Sequence, residues 1–98
     1  MRGPGVTVLL ERALIAGAEI AITDRRAREW HSATFSGMRH EIAGEGTTSA
    51  ALDRWLEGLA ETDLPIAGHI VADIAVSEIH RDPARTHFRL EALTVAES

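Results

Sequence analysis

Apolar and polar positions alternate most regularly towards the end of the chain. Ile70, Ala72, Ile74 and Val76 recur with a period of two, the signature of a strand with one buried face. Phe88, Leu90 and Ala92 repeat the pattern within residues 87–95. Between the two runs, Pro83 removes a ladder donor and biases Asp82 away from helix. Residues 65–96 are therefore expected to form an antiparallel hairpin with a polar turn at 81–85.

The helical period appears twice. Val6, Leu9, Leu10, Ala13 and Leu14 predict a helix over 8–16, with Thr7 as its N-cap and Gly17 just past its end. Leu52, Trp55, Leu56 and Leu59 form the clearer stripe and predict a helix over 49–61, capped from 47–49 and closed by Pro65.

Between the helices, Ala18, Ile20 and Ile22 read as a first strand, residues 24–29 as a charged connection, and 30–42 as a second strand. Alternation in that second strand slips at Gly37. A bulge there would bring Ala33, Phe35, Met38, His40 and Ile42 onto one face. Gly44 and Gly46 then break the chain.

These elements predict an α+β fold of order α-β-β-α-β-β: a four-stranded, mostly antiparallel sheet of two hairpins, with both helices on one face. Residues 1–5 are expected to be a flexible lead-in and 6–98 one domain. The second sheet face would carry Val71, Ala75, Leu93 and Val95 among polar neighbours. An apolar patch of that kind marks an interface. A twofold homodimer, through this face or an edge strand, is its simplest closure.

Composition supports association. Apolar residues make up 45% of the 98 residues, enough for a core, but much of that is alanine, with two Phe, two Trp and no Tyr. Small side chains bury less area per residue, so the lone fold gains less from its core. There is no Cys, Lys, Asn or Gln, a usage that reads as the codon bias of a GC-rich genome, so a bacterial source is expected. Disulfide, thiolate, Schiff-base and P-loop-lysine chemistry are excluded with them.

A net charge of −5 opposes attraction to nucleic acid and anionic lipid. The most apolar stretch, residues 6–21, is interrupted by Glu11, Arg12 and Glu19, so it is not expected to span a bilayer and makes a poor signal peptide. A cytoplasmic location is expected, with neither nucleic acid nor membrane as partner.

Candidate chemistry is sparse. His31, His40, His69, His80 and His87 show no HxH, HxxxH or HExxH spacing. His80 and His87 flank the last turn and, with Asp82, are the weak candidates for a metal site, so no metal or other cofactor is expected. His40 and Glu41 are strand neighbours and point to opposite faces. His69 and Asp73 share parity but stand about 13 Å apart along a strand. Neither pair makes an acid–base dyad, and no serine has a nucleophile-elbow context.

The arginines lead elsewhere. Arg25, Arg26 and Arg28 in the first connection, with Arg81 and Arg85 in the second turn, would form a basic patch if both tips project from one end. Guanidinium forks bind carboxylate or phosphate bidentately, so an anionic ligand or an acidic protein surface is the expected occupant. The expected function is a non-catalytic binding or structural module that self-associates as a homodimer. The competing reading is a small enzyme or anion-binding domain with a polar pocket at the dimer interface, using His40, His69 or the arginines.

Overall fold

A computed structural model describes residues 5–97; apart from Gly5, the lead-in expected at 1–5 lies outside them. The element order is α1 (Val6–Gly17), β1 (Ala21–His31), β2 (Ser36–Thr47), α2 (Ala50–Gly58) with a 3-10 turn (Leu59–Glu61), β3 (His69–Arg81) and β4 (Arg85–Ala96). The four strands form one sheet in the order β1-β2-β4-β3, antiparallel throughout. The α+β fold of order α-β-β-α-β-β is therefore present, with two hairpins side by side.

Both helices serve one sheet face. Leu10 and Leu14 of α1 and Leu52 and Leu56 of α2 enter one buried cluster with Ile42, Ile74, Phe88, Leu90 and Ala92 of the sheet. Leu64 and Ile66 of the connection before β3 close the same cluster. The Trp55 ring meets Phe88 edge-on at 6.1 Å, and Phe88 in turn lies where a Gly44 side chain would stand, with a Cβ there only 2.6 Å from the ring. Gly44 and Gly46 thus continue β2 where a chain break was expected, because side chains from neighbouring elements need their space.

Local signals set the helix ends. Ser49 caps α2 as expected, its Oγ accepting from the Leu52 backbone N–H at 3.0 Å. α1 starts earlier than expected: Gly5, not Thr7, is its N-cap, without a side-chain cap bond. Arg25 ties α1 to β1 through a 2.8 Å ion pair with Glu11.

The first hairpin departs most from expectation. β1 runs through the charged residues 24–29, and the turn falls at 32–35, inside the expected second strand. Ser32 fixes that turn: its N–H donates to the Phe35 carbonyl at 2.8 Å, and its Oγ accepts from the Phe35 N–H at 3.0 Å. Gly37 carries no bulge; it sits in regular register between Trp30 and Val95. Ala33 and Phe35 are consequently exposed in the turn and do not join Met38, His40 and Ile42 on one face. β1 lies at the sheet edge with only Ile22 and Trp30 partly buried, so no apolar alternation is required of it.

The bulges lie elsewhere, at Thr23, Ala72 and Ser77. Ala72 matters most. The extra residue reverses the parity of β3, so that Val71 pairs beside Thr94 and packs on the core, whereas Ile70 turns to the opposite face.

Candidate functional site

One face of the sheet is covered by the helices, and the other by nothing among the described residues. Register sorts the side chains of this open face into cross-strand rows. At one end, Trp30, Gly37, Val95 and Ile70 stand in a row across β1, β2, β4 and β3. The next row is Arg28, Arg39, Leu93 and Asp73, and the one after is Arg26, Glu41, Glu91 and Ala75.

The first row is apolar. Ile70 is 54% exposed, and Val95 and Leu93 beside it are half-buried. Gly37 has no room for a side chain: a Cβ there would meet the Thr94 carbonyl oxygen at 1.9 Å and the Trp30 indole nitrogen at 2.9 Å. The Trp30 ring thus lies over the glycine, its buried N–H without a hydrogen-bond partner. Of the expected interface residues, Ala75, Leu93 and Val95 are on this face. Val71 is not, having been turned into the core by the Ala72 bulge. Ile70 and Trp30 take its place.

The two charged rows enclose a trough of about 540 Å³, lined by Arg26, Arg28, Arg39, Glu41, Asp73 and Glu91. The pairing within it is unusual. Arg28 stands directly opposite Arg39, and Glu41 directly opposite Glu91. Like charges in such positions repel and destabilise a sheet. Neither Arg26, Arg28 nor Arg39 has a carboxylate within ion-pair distance among the described residues, although Arg26 faces Glu41 across the strands.

The expected five-arginine patch is divided. The turn of the first hairpin lies beside the end of β4, and that of the second lies beside Thr47, so the two tips project from opposite ends of the sheet. Arg25 is paired with Glu11, Arg81 with Asp53 at 2.7 Å and Arg85 with Glu45 at 2.8 Å. Arg26 and Arg28 remain, and the partner they gain is Arg39, which the sequence pattern does not single out. Asp82 is occupied in its own turn, where its Oδ1 accepts from the Ala84 and Arg85 N–H groups at 2.8 Å each. Those bonds, the one from Arg85 foremost, hold its carboxyl below the usual range.

The histidines also separate. His80 and His87 face each other across β3 and β4 but turn to different carboxylates, Glu78 at 3.5 Å and Glu45 at 3.3 Å. No group of three or more His, Asp or Glu among the described residues is placed to hold a metal ion. His40 is 1% exposed on the helix-covered face, its Nε2 2.9 Å from Thr94 Oγ1 and its Nδ1 without a partner. Burial first, and His69 second, push the His40 imidazole below its ordinary pKa. Glu41 is exposed on the opposite face. His69 and Asp73, expected to share a face, are placed on opposite ones by the Ala72 bulge.

Among the described residues, no helix is long and apolar enough to cross a membrane. No family model, curated protein or solved structure matches this chain in the comparisons with known proteins.

Proposed function

We propose that this chain is a non-catalytic binding module that associates with a second copy of itself through the apolar end of its open sheet face. The observation that carries the reading is the row of Trp30, Val95 and Ile70, with Leu93 behind it, on a face that no element among the described residues covers. An exposed apolar patch rimmed by charge is the usual mark of an interface. A twofold contact sets such a patch against itself without opposing like charges. Contact across the middle of the face would instead desolvate six charged side chains, which is costly. That cost favours a contact at the apolar end, which would leave each trough open beside it. No acid–base pair converges anywhere on this face in a way that favours the enzymatic reading.

Sedimentation across a wide concentration range tests the proposal. The expected result is a concentration-dependent monomer–dimer equilibrium, with Ile70→Glu shifting the dissociation constant upward at least tenfold and leaving the circular dichroism spectrum unchanged. A wild-type chain that stays monomeric at the highest concentration overturns it. So does a dimer indifferent to charge at both Ile70 and Val95.

A further inference from the structure

The trough in the middle of the open face is a separate feature, and it does not depend on self-association. Its arginines differ from the chain's other arginines on the sheet. Arg25, Arg81, Arg85 and Arg89 each have a carboxylate within 3.4 Å, whereas Arg26, Arg28 and Arg39 have none within 4 Å among the described residues. The unpaired ones occupy neighbouring positions on β1 and β2. Carboxylates are not lacking, for Glu41 on β2, Glu91 on β4 and Asp73 on β3 line the same trough. Folding has placed like charges opposite one another, Arg28 to Arg39 and Glu41 to Glu91, where exchanging two residues would have neutralised both pairs.

The geometry points to a binding site for a small dipolar ligand, one that carries a carboxylate or phosphate at one end and a protonated amine at the other. The anionic group sits between the Arg28 and Arg39 guanidiniums with Arg26 beside them, a fork arrangement suited to either oxyanion. The ammonium sits between Glu41 and Glu91, in the row that Arg26 ends on β1, while Asp73 ends the arginine row on β3 beyond Leu93. The two rows are two residues apart along the strands, about 7 Å, and this sets the separation of the ligand's charged ends. A trough of about 540 Å³ is of the size that small ligands occupy. An anion alone would neutralise the arginines and leave the facing glutamates in conflict, and a cation alone would do the reverse. Only a ligand with both charges relieves both.

The test is a titration of the whole chain followed by amide NMR, with 6-aminohexanoate and 4-aminobutyl phosphate, whose charged ends are equally far apart, as dipolar probes. Hexanoate and hexylamine serve as single-charge controls. Both dipolar probes are expected to perturb residues 26–28, 39–41 and 91–93, and to bind at least fivefold more tightly than either control. Preference between the two reports whether the oxyanion is carboxylate or phosphate. Arg39→Gln and, independently, Glu91→Gln are expected to remove that advantage, in a chain whose spectrum elsewhere is unchanged. Hexanoate binding as tightly as 6-aminohexanoate overturns the proposal. So does an absence of shifts in the trough, or an advantage that survives both substitutions. Running the titration on Ile70→Glu as well separates this result from self-association: loss of the dimer with retained binding leaves the trough standing.

Discussion

His40 makes the folded chain sensitive to acid. Its imidazole is buried with one nitrogen unpartnered, and desolvation holds its pKa below the ordinary value. The unfolded chain therefore binds a proton near pH 6.5 that the folded chain refuses, so the contribution of His40 is fully present above about pH 6.5 and is lost as pH falls below it. Urea unfolding at a series of pH values should show a decline beginning there, with a slope of no more than one proton. His40→Leu should flatten that part of the profile. At Gly37 the constraint is steric. A methyl group there meets the Thr94 carbonyl and the Trp30 indole at once, so Gly37→Ala should destabilise the fold by about 1–3 kcal/mol, read by denaturant midpoint. Arg39→Gln should act in the opposite sense. It relieves the repulsion with Arg28 and should raise stability by about 0.2–1 kcal/mol, a gain in calorimetric Tm accompanied by loss of ligand binding.

At the scale of elements, α2 was the most legible part of the chain. Leu52, Trp55, Leu56 and Leu59 lie at helical spacing because that face meets the core, and Ser49 supplies the cap the spacing leads one to seek. Ser49→Ala should lower stability by about 0.5–2 kcal/mol in thermal unfolding. β1 was legible only in its first residues. Between Ile22 and Trp30 its side chains answer to water on both faces, so the pattern of Arg25 to Glu29 is that of a connection, although the backbone pairs with β2 residue by residue. What holds that strand is the ladder itself, and a ladder leaves no periodic mark on exposed side chains. β3 was legible in extent and misread in facing. A bulge such as that at Ala72 shifts parity by one, and nothing in the composition of residues 70–73 announces it.

For the molecule as a whole, apolar periodicity determined that the order is helix, hairpin, helix, hairpin, and that one sheet face is buried. Those properties follow from which side chains must leave water, and any fold of this chain has to satisfy them. The site was decided elsewhere. Placing β2 beside β4 brought Glu41 opposite Glu91, and folding β1 back on β2 brought Arg28 opposite Arg39. The members of these pairs are separated in sequence by a turn, or by a helix and another strand, and each looks like an ordinary solvated charge when read along the chain. The arginine patch expected at the two tips dissolved for the same reason: the topology sent the tips to opposite ends and supplied Arg25, Arg81 and Arg85 with carboxylates. Burial is a local demand that each segment states for itself, whereas the meeting of charges across strands depends on sheet order and register, which only the tertiary structure decides.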